Sequence, residues 1–296
     1  MRYRIEHVTR YSYDADVTGS FGQFHLTPRD LPWQTVLEHV VTVEPGPATL
    51  LSHTDLYGNT KSSFHVTDPH TELVVRAVSL VEVVPPVLPP AALAVAWEDA
   101  RPDVRTEEPD AWEAADFTFA SPYVDVPPAV EAYARESFTP GRALGEAATE
   151  LMHRVHDDFA YKPRSTSIGE KVADLLVGRH GVCQDFSHVM VAGMRSLGLA
   201  GHYVSGYLAT RPPPGRPRLV GADASHAWVG VWVPGAGWLH LDPTNDRLTD
   251  ASHATVAWGR DYGDVPPVRG VIFTEAKHSS MKVSVDMAPV DVVPAA

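Results

Sequence analysis

Cysteine is almost absent: a single residue, Cys183, in 296. One thiol cannot close an internal disulfide, so packing and not cross-linking must hold the chain together, and a reducing compartment suits it. The leading stretch MRYRIEHVTRYSYDADV holds no continuous apolar run that could act as a secretory signal. Nowhere does the sequence approach the roughly 20 apolar residues needed to span a bilayer. Both absences predict a cytoplasmic protein with no membrane partner. Positive charge is scarce as well. The 24 Lys and Arg stand against 37 Asp and Glu, and the formal charge of −13 repels phosphate backbones, which sets nucleic acid aside as a partner. There is no P-loop, no dinucleotide-binding glycine fingerprint opening a helix and no G-x-S-x-G elbow, which removes nucleotide and serine-hydrolase chemistry. What remains is 44% hydrophobic, enough for a sizeable core in one large domain or two smaller ones.

Apolar and alternating stretches such as VLEHVVTVEP from Val36 and TELVVRAVSLVEVV from Thr71, broken by turn signals such as Tyr57 to Asn59, predict strands and hairpins in the first third. PPVLPP, Pro85 to Pro90, cannot donate ladder hydrogen bonds and marks a boundary, giving a β-rich domain over 1–90. Residues 91–140 carry many prolines and acids and predict loops and short helices. Leu144, Ala148, Leu151, Met152, Val155 and Phe159 then recur at three and four residues, the period of a helix with one apolar face. Ser167 and Glu170 form an S-x-x-E capping box before KVADLLVG, with Gly178 placed to end that helix. Phe186, Val189, Gly193 and Leu197 mark a further helix, with Cys183 in its first turn. HYVSGYLA, SHAWVGVWV and GWLHLD read as strands, closing a core over 91–262. An extension over 263–296 holds one last strand, SMKVSVDM, at 280–287.

A lone cysteine is most often a small buried hydrophobe. Position argues otherwise here, because the free N–H groups and dipole of a helix's first turn favour a thiolate, the nucleophilic form. A base must accompany it. Fifteen histidines make mere presence uninformative, so context chooses. His226 and Asp242 lie on two strands joined by Pro234 to Gly237. If Trp232 pairs with Trp238, the two residues share a face as diagonal neighbours about 7 to 8 Å apart at the backbone, within imidazole–carboxylate reach. An even loop would break this parity, so an odd loop or a bulge is required. Asp242 can also be read as a plain turn residue ahead of Pro243, and His226 as a satisfied strand histidine. Together, the order Cys, His, Asp fits nucleophile, base and orienting group.

GVCQDFSHVMVAGMRSLGLAGHYVSGYL, SHAWVGVWV and GWLHLDPTND resemble the transglutaminase-like superfamily, and YRIEHVTRYSYD with FHLTPR resembles the amino-terminal β domain of its bacterial branch. The resemblance implies an α+β fold: an N-terminal β-rich domain followed by a papain-like transglutaminase core, helices packed on an antiparallel sheet. It implies acyl transfer through a thioester, with Cys183 as nucleophile, His226 as general base and acid, and Asp242 as the orienting carboxylate. No cofactor is expected. The expected partner is a peptide or protein substrate, with hydrolysis, as in a protease or amidase, favoured over transamidation. The rival from another class is a binding or scaffolding module whose triad is retained but idle.

Where relatives often read HAWVE this chain has Gly230, which is expected to open the surface beside the histidine strand to water. The Cys183 N–H is a natural oxyanion donor, and Gln184 or Tyr161 could supply a side chain. Trp228, Arg211 and Arg216 are candidates for the substrate cleft, the arginines from RPPPGRPR between two site strands, where they would suit an acidic substrate. His153 and His156 lie three apart on a helix beside carboxylates, but the apolar stripe runs between them and no H-E-x-x-H or cysteine pair accompanies them, so no metal is assigned.

Overall fold

The structure is a computed structural model and describes residues 1–103, 105, 110–210 and 224–290. Its spine is β1 (Arg2–Phe24), where buried Tyr3, Ile5, His7 and Thr9 alternate with more exposed Arg4, Glu6, Val8 and Arg10, the period of two that one buried sheet face imposes. β2 (Gln34–Glu44), β3 (Thr49–Thr54), β4 (Thr60–Val66) and β5 (His70–Val83) complete an antiparallel order β2-β5-β1-β4-β3. The turn signal at Tyr57 to Asn59 sits in the β3–β4 hairpin, where the Asp55 carboxylate accepts the Tyr57 and Asn59 N–H groups, each at 2.9 Å.

Beyond the proline connector come the expected short helices, α1 (Pro90–Leu93), α2 (Ala111–Asp116) and α3 (Pro128–Arg135). α4 (Leu144–Asp158) buries Leu144, Ala148, Leu151, Met152 and Val155, the face its periodicity indicated. β6 (Ala160–Tyr161), α5 (Val172–Gly178), β7 (His180–Gly181) and α6 (Cys183–Ser196) follow. The S-x-x-E pair does not cap α5. Ser167 hydrogen-bonds Glu170 within a preceding turn, while the first N–H of α5 is taken by Asp125 at 3.0 Å, a partner 47 residues away. The helix does end at Gly178, its last helical residue, although the left-handed cap at φ 51° is taken by Arg179.

β8 (Gly201–Leu208), β9 (Ala224–Val233), β10 (Gly237–Asp242), β11 (Arg247–Leu248) and β12 (His253–Gly259) form a second antiparallel sheet in the order β11-β10-β9-β8-β12. α6 packs over it, with Val189, Val191 and Met194 in one core with Val229, Val231, Val233 and Leu241. The last segment holds two strands where the sequence pattern showed one, β13 (Val268–Thr274) and β14 (Ser279–Pro289), and both pair with β1. The two sheets meet through Tyr3, Ile5, Val285 and Met287 on one side and Tyr203, Tyr207, Ala227 and Val256 on the other. The architecture is α+β, and no helix among the described residues is long and apolar enough to cross a membrane.

Candidate functional site

The start of α6 is built by two residues that sequence patterning passed over. Asp185 folds its carboxylate back to accept the Val182 N–H at 2.8 Å and the Thr166 hydroxyl at 2.7 Å. Gly181 makes the room, since a Cβ there would stand 2.6–2.7 Å from Asp185 side-chain atoms. The helix thus begins at Cys183, and its first-turn N–H groups have no intrahelical partner. Cys183 itself is half-buried.

Opposite it stands the β9–β10 hairpin. Pro234, Gly235 and Ala236 form a three-residue loop, and positive φ at Gly235 (68°) and Gly237 (90°) provides the left-handed backbone that such a loop needs. Trp232 pairs with Trp238, so the parity condition is met and His226 and Asp242 fall on the same side. Their side chains join: His226 Nε2–H donates to Asp242 Oδ2 at 2.8 Å. The Cys183 thiol lies beside the same imidazole, close enough to favour its cationic form. Burial by itself would depress the His226 imidazole. The hydrogen bonds to Asp242 and Cys183 and their attraction for the cationic ring outweigh it, and the group is raised to about 10.

Asp242 is fully buried yet amply satisfied. Its Oδ1 accepts the Thr244 and Asn245 backbone N–H groups at 3.0 and 3.1 Å, and its Oδ2 takes the Asn245 side-chain amide at 2.8 Å as well as His226. Asp242 therefore shapes a turn and also accepts a hydrogen bond from an imidazole. Burial pushes its carboxyl up, but the hydrogen bonds from His226 and His253 prevail and hold it well below the usual carboxylate range. His253 is the residue that sequence reasoning missed. It is buried on β12, its Nε2 lies 3.2 Å from Asp242 Oδ2, and its Nδ1 faces both the Asp250 backbone N–H at 3.1 Å and the Asp250 Oδ1 at 3.2 Å, so a carboxylate stands at each ring nitrogen. Only the unremarkable string D-A-S-H could have signalled it.

A cleft of about 270 Å³ opens onto Cys183 and His226, and Gln184 lines it. Tyr161 does not line it. It is 54% exposed on β6, and burial, followed by the neighbouring Cys183, pushes its phenol up. Trp228 is a correction. It is fully buried, its ring edge-on to His253 with centroids 5.3 Å apart, so it packs beneath the site and cannot meet a substrate in the cleft. Gly230 is another. A Cβ there would lie 2.1 Å from His202 Nε2 and 2.9 Å from His240 Cδ2, so that space is filled by a buried histidine pair and opens nothing to water. Arg211 and Arg216 lie outside the described residues. His153 pairs with Asp246, and His156 Nδ1 meets the Thr244 carbonyl at 3.1 Å, so each has a partner of its own.

Comparison with known proteins finds relatives for both parts of the chain. Residues 3–82 match the bacterial transglutaminase-like N-terminal region and residues 131–243 the transglutaminase-like superfamily. An uncharacterized protein of Mycobacterium tuberculosis is 44% identical over 97% of this chain and 93% of its own length. A protein-glutamine gamma-glutamyltransferase of Pseudomonas aeruginosa is 38% identical over 120 residues, 38% of this chain and 18% of that one. Among solved structures, a candidate cysteine protease from Cytophaga hutchinsonii superposes with a TM-score of 0.73 at 20% identity, covering 99% of this chain and 93% of its own, which establishes the shared fold.

Proposed function

The chain belongs to the transglutaminase-like superfamily, and from that premise we propose that it is a cysteine enzyme that cleaves amide or peptide bonds through a thioester on Cys183. In this mechanism Cys183 Sγ attacks the carbonyl carbon as a thiolate, paired with a His226 imidazolium that already carries the proton. The carbonyl oxygen becomes an oxyanion beside the Cys183 N–H and the Gln184 side chain. Collapse breaks the C–N bond, and His226 returns the proton to the departing amine. Water, deprotonated by the same imidazole, then attacks the thioester, releasing a carboxylic acid and restoring the thiol. Asp242 keeps a proton on Nε2 and stabilises the imidazolium in each half-reaction.

What supports this reading is the His226–Asp242 hydrogen bond beside Cys183, in a cleft that Cys183 and His226 both line. Hydrolysis is favoured as the outcome because water needs no docking site, whereas an amine must be held against the thioester to compete. Gly230 plays no part in that preference. The test is product analysis of one peptide substrate with and without millimolar amine: free acid should predominate, and predominant amide exchange would make the chain a transamidase. An idle module would show a Cys183 that resists iodoacetamide near neutral pH and no turnover of any peptide.

A further inference from the structure

The cleft has two walls of different origin. One is the catalytic core, with Cys183, His226 and Ser225. The other is the amino-terminal sheet: Thr9 and Tyr11 from β1, and Met281 and Val283 from β14. The register explains how these four come together. Thr9 pairs with Val283 and Tyr11 with Met281, one face of the ribbon that buries Ile5 opposite Met287 and His7 opposite Val285 further along. At that end the stripe is core, with Val285 1% and Met287 0% exposed. Two and four residues back the same face is open, with Val283 47% and Met281 60% exposed. The two layers diverge at this point, and the apolar stripe that welds them runs on into the cleft.

We propose that this face is the specificity wall of the site, and that it takes an extended peptide whose side chain next to the reacting amide is apolar. The inference rests on the reading of the cleft as a peptide site and adds which peptide. Charge argues for it. Among the described residues lining the cleft there is no carboxylate, ammonium or guanidinium; the His226 imidazole, raised to about 10, is committed to Asp242 and Cys183, and burial pushes His7 down to about 4, so it is neutral at pH 7 while bonded to Tyr207 and Thr9 at 3.1 and 2.9 Å. A charged substrate side chain seated there would lose water and find no counter-charge, whereas an apolar one would cover Tyr11, Met281 and Val283. Size agrees, since about 270 Å³ is below the usual range for a drug-sized ligand and holds one large side chain beside the amide. Position agrees too, because the antiparallel pairing of β1 with β14 runs without a break from Tyr3–Pro289 to Tyr13–Ser279, so the four wall residues are held by a continuous ladder.

The experiment reads occupancy of the cleft without requiring turnover. End-blocked pentapeptides with an alanine background, each position set in turn to Leu, Phe, Asp or Lys, are tested for protection of Cys183 in the intact protein against iodoacetamide, and the same peptides are assayed for cleavage. Leu and Phe at one position should protect at roughly tenfold lower concentration than Asp or Lys there, the scale of one buried apolar side chain. Met281→Asp, on an exposed strand position, should remove that preference and favour Lys. Equal protection by all four, better protection by Asp, or an apolar preference that survives both Met281→Asp and Val283→Asp would overturn the wall. Selective protection without cleavage would overturn the enzymatic reading and leave the wall standing. Cleavage without selectivity would do the reverse.

Discussion

Asp242 divides its oxygens between two tasks, Oδ1 closing a turn and Oδ2 meeting two imidazoles. Asp242→Asn keeps most of the turn but can favour the wrong His226 tautomer and cannot stabilise the cation. kcat should fall on the order of 10² to 10⁴, and the alkaline limb of the pH profile should move to lower pH, because the carboxylate that holds the His226 proton is gone. His253 acts through Asp242 as a positioning residue, and its variants separate that role from packing. His253→Phe removes a donor from the carboxylate, concentrating its charge on His226, so the alkaline limb should shift upward with KM little changed. His253→Gln can donate to Asp242 and accept from the Asp250 N–H, and should return the limb toward wild type. Identical profiles for the two variants would reduce His253 to filler. The sign for stability follows the same group. His226 is raised in the folded protein, so its contribution is complete below the unfolded value near 6.5 and is lost as pH climbs through about 10. Thermal melts of wild type and His226→Phe against pH should converge at the alkaline end.

At the scale of elements, legibility followed the range of the forces involved. The β9–β10 hairpin could be read because alternation and loop parity are local, and the pairing of Trp232 with Trp238 needed only counting. α6 and its first-turn cysteine were likewise legible from a periodic face. The failures were tertiary. Ser167 and Glu170 have the right spacing for a capping box, but a distant carboxylate, Asp125, took the α5 terminus instead. Gly230 was read as an opening because a missing side chain looks like space, and only the fold shows two histidines filling it. His253 was invisible because its partner Asp242 is eleven residues away and reached across strands. The helix start makes its own prediction. Gly181→Ala would drive a methyl against Asp185, displacing the cap, and should destabilise the protein by about 1–3 kcal/mol. Asp185→Ala should cost about 1 kcal/mol or more through the lost cap. Urea unfolding measures both, and a neutral Gly181→Ala would mean that Asp185 does not hold the helix start.

For the whole molecule, β13 and β14 complete the amino-terminal sheet on the strand where the chain began. The alternation in β14 was visible in sequence, but its partner was not, since pairing between residues 2–24 and 268–289 leaves no local trace. Met287 is fully buried between the layers, so Met287→Ala should destabilise by about 2–5 kcal/mol although it lies outside the cleft. An unfolding midpoint equal to wild type would show that the two layers are not welded there. Fold and site were legible to the extent that helices, strands and the order Cys, His, Asp are written locally, while the wall opposite the thiol exists only once both chain ends are in one sheet. The central claim is a covalent one, and intact-protein mass spectrometry during turnover of an activated ester or peptide tests it most directly. An acyl adduct should appear on Cys183, form more slowly in His226→Ala and be absent from Cys183→Ala along with turnover. Turnover that persists in Cys183→Ala, or an adduct located on any other residue, would contradict the account.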